Sequence, residues 1–578
     1  MKNLKLSLFL AFLSILSAPA LSQNLGGHPS GLDWQFIKTD AVRVIYPQGM
    51  GAHAQRIAYL INYMDQNNRR SIGGKKRRFD LVLQNQTTIP NGYVGLAPLR
   101  SEFFATPPQS ANLLGSLDWL DALAIHEYRH VQQNLNANRG LTKFFYILQG
   151  ETSWALLSHF SIPNWYWEGD AVVTETALSN AGRGRAPFFT LEQRALAAAG
   201  KNYAYGKHRN GSFKDLLPDH YRLGYMMLTH TRNKFGNDTS KDIMQEAAAY
   251  RGVFYPFSRA MKRHTGLGTP GMYREAWETK KTEWAEQLKN TDLQPTTPVT
   301  EKQKRTVTNY RFPRHLEDGS IVALKSSYKK TGAVVQIKDG KETKITTVGF
   351  HVEPYLNYGG GKLAWTELSK NARRGNQFFS DIVLYDLKKG KRKKLTQKTK
   401  YFSPIVSPDG QSLAAVHISP LQENSIHLLD PNTGQLIRKI NNPDNLFLSR
   451  PAWTEDGKAI VCVAKRNSQL SVVKFDLSAR KDSFGENTMT ELLPWTAHTL
   501  DLPFVCGGKV FFNASFSGID NIFYTDLGGS KNIYQVTSVP IGAFEPSISQ
   551  DGKEVLFTEF TEMGYVVSKQ AFDQKNAK

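Results

Sequence analysis

The second half of the chain repeats one pattern six times, and this limits its fold more than any other feature. The repeats, in order, are FPRHLEDGSIVALK, EPYLNYGGGKLAWTE, SPIVSPDGQSLAAVH, RPAWTEDGKAIVCVA, LPFVCGGKVFFNA and EPSISQDGKEVLFTE. In five of them a proline precedes a turn glycine by six residues, as Pro404 precedes Gly410; the fifth unit, Pro503 to Gly508, is one residue shorter. Asp-Gly or Gly-Gly between alternating apolar runs predicts tight β-hairpins. Proline has no N–H to donate to a neighbouring strand. Each proline is therefore expected at the start of a strand, where that hydrogen bond is not needed.

The spacing of the repeats predicts a β-propeller. Consecutive repeat prolines lie between 41 residues (Pro313 to Pro354) and 52 residues (Pro451 to Pro503) apart, which is typical of multi-stranded blades. Six units predict six blades. The pattern resembles the TolB-like propeller repeat over about residues 302–571. The resemblance implies that the final strand, GYVVSKQ, shares a blade with the strand before Pro313, a closure that removes exposed strand edges.

The first residues predict a removable export signal. Lys2 and Lys5 precede an apolar run from Leu6 to Leu16, and small residues follow. The run is too short to cross a bilayer, and no cysteine follows it as a lipoprotein would require. Residues 1–22 are therefore expected to be a signal peptide, and the protein to be exported to the periplasm, the cell envelope or the medium. No other stretch approaches the roughly 20 apolar residues of a transmembrane helix, so no membrane span is expected.

The chain of 578 residues is too long for a single core. The segment TDLQPTTPVTEKQKRT, residues 291–306, is polar and contains two prolines, which predicts a linker. Strand-like pieces and long helical patterns precede it, and short strands follow it. The expected division is a mixed α+β domain over 23–290, the linker, and an all-β six-bladed propeller over 307–578.

The low cysteine content argues against a protein held together by disulfides. Only Cys462 and Cys506 are present, so cores rather than a disulfide framework hold the chain together; buried thiols are favoured, with one disulfide as the alternative.

The net charge of +21 is shared by both halves, which argues against a specific nucleic-acid site. The densest basic run, Lys388 to Lys400, is typical of a solvated turn. Basic residues such as Lys391–Lys394 also fit anionic lipids, an anionic polysaccharide or an envelope protein as a partner of the propeller.

The segment ALAIHEYRHVQQ contains the HExxH motif at residues 126–130. Apolar residues recur at helical spacing and neither Gly nor Pro interrupts residues 117–133, so a helix is predicted. Residues four apart share one helix face, so His126 and His130 can bind one metal ion. Catalytic zinc has three protein ligands and an open position for water, and Glu127 is placed to act on that water as general base.

A carboxylate on a following helix is expected to be the third ligand. A metzincin would have glycine and histidine where this chain has Gln133 and Asn136, so that class is excluded. The segment PNWYWEGDAVVTETAL resembles the W-x-x-E-G-x-A motif of envelope-exported gluzincin peptidases. The residues that match this motif are Trp165, Glu168, Gly169 and Ala171.

The resemblance implies one Zn²⁺ per chain, bound by His126, His130 and Glu168, in a gluzincin-like α+β peptidase domain. Glu175, two turns beyond Glu168, is expected to orient a ligand. Glu151 in ILQGETSW is the alternative third ligand. A carboxylate that only faces the helix dipole is the non-catalytic alternative for Glu168.

The segment DHYRLGYMML resembles the tyrosine helix of aminopeptidase N-like gluzincins, which implies that Tyr221 stabilises the oxyanion of the reaction. His220 and Tyr225 compete for this role, and a tyrosine packed in a helix core is the structural alternative. Upstream, GYVGLAPLRSEFFATPPQ is expected to supply an edge strand along which an extended peptide binds.

Two functions remain open from the sequence. The first is an exported zinc-dependent peptidase whose substrate is a peptide or protein, with the propeller as a partner-binding or access-limiting module. The second is a weakly active or inactive peptidase-like scaffold of the cell envelope that works through its propeller. The general base Glu127 argues for the first, because a degenerate site usually loses this residue.

Overall fold

The structure is a computed structural model that describes residues 26–67, 71–477 and 489–574. The expected signal peptide, residues 1–22, lies outside the described residues. In the described part of the chain, no helix combines the length and the apolar character needed to cross a membrane. The protein has an α-rich N-terminal region and a C-terminal six-bladed β-propeller.

The N-terminal region contains a five-stranded sheet, with one helix between its second and third strands and a series of helices after it. Its strands are β1 (Trp34–Lys38), β2 (Val42–Pro47), β3 (Phe79–Gln84), β4 (Gly92–Gly95) and β5 (Arg100–Phe104). Its helices are α1 (Gly51–Asn67), α2 (Trp119–Ala137), α3 (Gly140–Gln149), α4 (Glu151–Ser161), α5 (Asn164–Leu178), α6 (Leu191–Ala198), α7 (Tyr205–Asn210), α8 (His220–Phe235), α9 (Thr239–Ala248), α10 (Pro256–Thr265) and α11 (Thr269–Lys289). Short 3₁₀ turns cover Ala111–Leu113, Arg183–Arg185 and Pro187–Thr190.

The sheet has the order β1-β2-β3-β5-β4, so β4 lies at its edge. Strand β4 pairs antiparallel with β5, whereas β2, β3 and β5 run parallel. One apolar core joins the sheet to α1 and α2, and a second core joins α5 with the helices from α8 to α11. Helix α2 is buried along almost its whole length, because it lies between these two layers.

The propeller consists of six four-stranded antiparallel sheets. Its strands are β6 (Thr297–Pro298), β7 (Thr308–His315), β8 (Ile321–Ser327), β9 (Ala333–Lys338), β10 (Lys341–Thr347), β11 (Asn357–Gly359), β12 (Lys362–Lys370), β13 (Phe378–Asp386), β14 (Lys391–Lys394), β15 (Tyr401–Val406), β16 (Leu413–Ile418), β17 (Asn424–Leu429), β18 (Leu436–Lys439), β19 (Phe447–Trp453), β20 (Ala459–Arg466), β21 (Gln469–Asp476), β22 (Met489–Glu491), β23 (Leu500–Cys506), β24 (Lys509–Ala514), β25 (Asn521–Asp526), β26 (Tyr534–Gln535), β27 (Ala543–Ile548), β28 (Glu554–Thr561) and β29 (Gly564–Ala571). The six blades predicted from the repeats are confirmed. Cys462 and Cys506 are free thiols.

Five of the repeat prolines lie inside the first strand of a blade, so the expectation that they begin a strand is wrong there. Strands β7, β15, β19, β23 and β27 each shift register beside the proline, as between Ser449 and Ala452 around Pro451. The preceding residue, here Arg450, has a left-handed φ of 50°. A bulge leaves its extra residue without a ladder partner, so the missing N–H of proline is tolerated.

The ring closes as expected through a strand that precedes the first repeat and shares the blade of the final strand. That strand is β6, since Ser568 and Lys569 of β29 face Pro298 and Thr297, and it lies inside the expected linker rather than directly before Pro313. Part of the expected linker 291–306 is therefore the outer strand of the last blade. Gln294 also donates its backbone N–H to the carbonyl of Ser538 at 2.9 Å.

The segment after β5 lies against the propeller. Glu353 accepts the backbone N–H groups of Gln109 at 2.7 Å and Ser110 at 3.0 Å. The Ser110 hydroxyl donates to Asp501 at 2.6 Å. Lys400 of the propeller, which is buried, donates from Nζ to the carbonyl of Asn85 at 2.7 Å. These buried polar contacts fix the propeller to the N-terminal region.

Asp520 is a buried carboxyl group in the propeller with no solvent exposure. Neither carboxylate oxygen has a hydrogen-bond partner among the described residues. Burial raises the pKa of Asp520 to about 7, although the Arg194 guanidinium of α6 opposes the shift. The folded protein therefore holds a proton on Asp520 more tightly than the unfolded chain does.

We predict that Asp520→Asn stabilises the protein increasingly as the pH rises. A raised folded pKa contributes stability that is complete below the unfolded value near 4 and is lost as the pH rises through about 7. The asparagine cannot ionise, so its advantage over the wild type should grow by about 2–3 kcal/mol between pH 5 and pH 8. Urea unfolding of the full chain at several pH values measures this, with the exposed Asp33→Asn as control. If the stability advantage of Asp520→Asn did not change with pH, the raised pKa of Asp520 would be wrong.

Candidate metal centre and its cleft

Three side chains from two helices converge on one point. His126 and His130 lie on α2, and Glu168 lies on α5. The Nε2 atoms of the two histidines are 3.2 Å apart, and Oε2 of Glu168 is 3.2 Å from each of them. In the described part of the chain, this is the one group of three or more His, Cys, Asp and Glu side chains with the spacing of metal ligands.

The spacing of these atoms fits a tetrahedral metal ion. Ligand atoms about 2.1 Å from a tetrahedral zinc lie about 3.4 Å from one another. The triangle formed by the two Nε2 atoms and Oε2 has sides of 3.2 Å. Two imidazoles and a carboxylate are also the donor types that zinc prefers, so the residues fit this ion.

The hydrogen bonds of His130 fix which ring nitrogen faces the cluster. The amide NH₂ of Gln133 donates to the carbonyl of Trp167 at 2.9 Å and to Asp170 at 2.8 Å. Its oxygen is therefore free to accept from Nδ1 of His130, 2.8 Å away. With the proton on Nδ1, the lone pair of Nε2 points toward Glu168 and His126.

His126 is held in a similar way by Glu175. The Nδ1 atom of His126 lies 3.1 Å from Oε2 of Glu175. Arg183 donates to both oxygens of this carboxylate, at 2.6 and 2.8 Å, and its Nη2 lies 2.8 Å from Nδ1 of His126. Nδ1 of His126 thus has both an acceptor, Glu175, and a donor, Arg183, within hydrogen-bond distance, so either tautomer of this ring finds a partner. No pattern in the sequence marks Arg183, whose contacts with His126 and Glu175 form between separate elements. Gln133 lies one turn beyond His130 on α2, but Trp167 and Asp170 of α5 orient its amide.

Glu127 lies next to the cluster and faces a cleft of about 300 Å³. The cleft is lined by Asn91, Gly92, Tyr93, Val94, Glu127, His130, Asn134, His159, Asn164, Trp167, Glu168 and Tyr221. The Glu127 side chain is buried, and its Oε2 has no hydrogen-bond partner among the described residues. A Cβ added at Gly92 would lie 3.1 Å from Oε1 of Glu127. The edge strand β4 therefore passes directly over the general-base candidate.

The charges of the cluster shift the two carboxyl groups in opposite directions. Burial would raise the pKa of Glu168, but the imidazoles of His130 and His126 outweigh it and hold the pKa far below its ordinary value. Burial raises the pKa of Glu127, and the same imidazoles oppose that shift. One carboxylate is thus suited to bind a cation and the other to exchange a proton.

Tyr221 lies at the start of α8 and lines the cleft. Its ring is stacked on that of His126, with centroids 6.1 Å apart. Burial and the charge of Glu168 raise the pKa of Tyr221, so its hydroxyl stays protonated at neutral pH. Tyr225 points elsewhere and donates to the carbonyl of Gly184 at 3.3 Å, and His220 is not among the residues of the cleft.

The rival ligand Glu151 has a different environment. It forms an ion pair with Arg77 at 2.7 Å and accepts the backbone N–H groups of Ala97 and Leu99. Its carboxylate therefore fastens the segment after β4 to the start of α4, and it is not part of the ligand group.

Two glycines set the distance between α5 and α8. A Cβ on Gly224 would lie 1.8 Å from the carbonyl oxygen of Trp165, and a Cβ on Gly169 would lie 2.3 Å from the carbonyl carbon of Gly224. Only glycine allows helices to approach this closely. The crossing places Glu168, beside Gly169, near Tyr221, one turn before Gly224.

Comparisons with known proteins assign no family. No family model matches the sequence, and no curated protein does. Among solved structures, TolB from Acinetobacter baumannii is similar, with 16% identity and a TM-score of 0.30 over 47% of this chain and 67% of that one. Oligogalacturonate lyase from Vibrio parahaemolyticus has 12% identity and a TM-score of 0.33 over 48% of this chain and 94% of that one. A puromycin-hydrolysing peptidase from Mycobacterium tuberculosis has 13% identity and a TM-score of 0.31 over 46% of this chain and 44% of that one. Similarities this low assign no activity.

We predict that Gly224→Ala strongly disturbs the N-terminal region. The added methyl group collides with backbone atoms of α5, so the loss of stability should reach about 3 kcal/mol or more. Thermal unfolding of the full chain measures it. Gly271→Ala is the matched control, because its Cβ would have only an ordinary contact with Leu267 at 3.5 Å; this change should stay within about 1 kcal/mol. Equal stability of the two variants would mean that α5 and α8 are not in close contact.

Proposed function

We propose that the protein is a zinc-dependent peptidase of gluzincin type. The observation that carries the proposal is the 3.2 Å triangle of the two histidine Nε2 atoms and the Glu168 carboxylate, with the unpartnered Glu127 in the same cleft. His126, His130 and Glu168 would hold one Zn²⁺. The W-x-x-E-G-x-A resemblance supports the same ligand set. Gln133 holds the imidazole of His130 in the tautomer that ligation needs, and Glu175 offers an acceptor for an Nδ1 proton of His126.

The chain's own groups supply the proton transfers. Zinc, when bound, would acidify water and polarise the scissile carbonyl. Glu127 would take the proton of the attacking water and deliver it to the leaving amine. Its buried position and raised pKa favour this exchange. The Tyr221 hydroxyl would donate a hydrogen bond to the oxyanion that develops on the carbonyl oxygen.

Strand β4 is the proposed platform for the substrate. It lies at the edge of the five-stranded sheet and lines the cleft. A peptide bound in extended form would add a strand to this edge through main-chain hydrogen bonds. Such binding depends little on side chains, so peptide and unfolded protein segments are the substrate class.

The propeller is proposed as a partner-binding or access-limiting module of an exported protein. Glu353, in the loop before β11, and Asp501 of β23 hold the segment after β5. That segment leads into α2, which carries the proposed zinc ligands His126 and His130. An inactive scaffold protein remains the alternative reading, and the hydrolysis assay below separates the two.

We predict that Glu127→Gln keeps zinc and lowers peptide hydrolysis at least about hundredfold, the usual contribution of a general base. Glu168→Gln should lose zinc together with activity, since it removes a ligand. The matched control is Glu151→Gln, which changes the rival carboxylate and should retain zinc. Elemental analysis of the zinc-reconstituted variants and a fluorogenic peptide library provide the measurements.

Two outcomes would contradict this assignment. Zinc lost from Glu151→Gln but kept by Glu168→Gln would exchange the roles of the two carboxylates. Wild-type protein that binds zinc and cleaves no peptide would favour the scaffold function.

We predict that Tyr221→Phe lowers kcat more than it raises KM, because the lost hydrogen bond forms mainly in the transition state. Removal of one oxyanion donor typically lowers kcat about a hundredfold or more. Tyr225→Phe is the control and should leave kcat unchanged, since that hydroxyl lies outside the cleft. Unchanged turnover in Tyr221→Phe would remove the tyrosine from the mechanism.

A further inference from the structure

Helices α3 and α4 form a hairpin whose apolar outer face is uncovered. The two helices pack through Tyr146 and Trp154, whose ring centroids are 5.5 Å apart. The outward side chains are large and apolar, with exposures of 54% for Phe144, 69% for Ile147, 62% for Leu148, 51% for Leu156 and 75% for Phe160. Single exposed apolar residues are ordinary, but a continuous group of them marks a binding surface.

The loop between α9 and α10 extends this face. The Tyr250 hydroxyl donates to the carbonyl of Leu157 in α4 at 2.9 Å, and Leu141 of α3 donates its N–H to the carbonyl of Ala249. The loop then exposes Val253, Phe254 and Tyr255. We call the outward residues of α3, α4 and this loop the apolar face; they are Phe144, Ile147, Leu148, Leu156, Phe160, Val253, Phe254 and Tyr255.

Basic residues are concentrated in the segments that carry and adjoin the apolar face. The neighbouring segments 74–78, 139–161 and 249–264 contain Lys75, Lys76, Arg77, Arg78, Arg139, Lys143, Arg251, Arg259, Lys262 and Arg263. Glu151 is the one acidic residue within these segments and pairs with Arg77. Asp65 and Glu246, from outside the segments, pair with Lys76 and Arg263, so the excess positive charge rests on the other seven basic residues. Burial lowers the pKa of Lys75 to about 8, and the neighbouring charges of Arg139 and Lys143 add to the shift, so these three cations lie close together.

The basic charge and the exposed apolar side chains together favour an anionic bilayer as the occupant of this face. Aromatic and aliphatic side chains inside a basic rim match the headgroup region of an anionic bilayer, which is negative at its surface and apolar below. A second copy of the chain would bring two basic rims together, so their repulsion disfavours self-association. A protein partner would need an acidic ring around an apolar centre.

We propose that the apolar face docks on an anionic lipid bilayer. Phe144, Ile147, Phe160 and Phe254 enter the headgroup region, and the surrounding lysines and arginines bind lipid phosphates. The protein needs no membrane-spanning helix for this attachment, because the contact is peripheral.

Docking would also bring the cleft close to the membrane. His159 of α4 lines the cleft and stacks on Trp167 with centroids 6.0 Å apart, and the next residue, Phe160, belongs to the apolar face. Protein segments at the bilayer surface would then be the accessible substrates. This consequence rests on the proposed peptidase function, whereas the docking itself does not.

Vesicle flotation of the full chain tests the docking. The probes are vesicles of phosphatidylglycerol mixed with phosphatidylcholine, and vesicles of phosphatidylcholine alone. We expect binding to the anionic vesicles to exceed binding to the neutral ones at least about tenfold and to weaken with salt. The double variant Ile147→Asp/Phe160→Asp should reduce binding at least about tenfold. Phe350→Asp, at a propeller position that is 75% exposed, is the matched control and should bind like the wild type.

Further measurements distinguish the docking proposal from the proposed peptidase function. Glu127→Gln should bind vesicles like the wild type, and Ile147→Asp/Phe160→Asp should cleave a soluble short peptide like the wild type. Failure of peptide cleavage alone therefore affects only the peptidase function. The docking proposal is overturned if the wild type binds neither vesicle, if it binds both equally, or if the double variant binds normally. A dimer in sedimentation velocity that the double variant dissolves would also overturn it, since a second copy would then cover the face.

Discussion

A single buried carboxylate, Asp170, connects the three helices on which the candidate site is built. It has no solvent exposure and accepts two hydrogen bonds from Arg129 of α2, at 2.6 and 3.0 Å. Arg232 of α8 binds the same group, as does the amide of Gln133. Removing one partner from a buried ion network leaves an uncompensated charge and is strongly destabilising. Asp170 therefore determines where α2, α5 and α8 lie with respect to one another.

The glycine contact acts together with this ion network. Gly169 precedes Asp170 in α5 and meets Gly224 of α8, so the helices are close at the level of the site. Glu168 on one side and Tyr221 on the other then face the histidines of α2. The charge network fixes the rotation of the helices, and the glycines fix their separation. Both bear on the proposed activity, because a displacement of about 1 Å at a reactive centre is costly for catalysis.

The number of propeller blades could be predicted from the sequence, whereas the bulges at the prolines and the position of the closing strand could not. The six repeats with their turn glycines predicted six blades, which the structure confirms, because hairpin turns are local events. The bulges at prolines such as Pro451 and the pairing of β29 with Thr297–Pro298 were not predicted. A register shift or a closing strand depends on residues far away in the chain, and the linker composition of residues 291–306 hides a strand of only two residues.

The sequence by itself determined the elements that depend on neighbours along the chain. The helix with His126 and His130 on one face follows from a period of 3.6 residues, and the hairpins follow from Gly at their turns. The W-x-x-E-G-x-A resemblance favoured Glu168 over Glu151 as the partner of the histidines, and Glu168 lies beside both of them in the structure. Only the tertiary structure decided that Arg183 lies beside His126, that α5 orients the amide of Gln133, and that α3 and α4 leave an apolar face exposed. Such relations arise from packing between helices distant in sequence, and local patterns do not encode them.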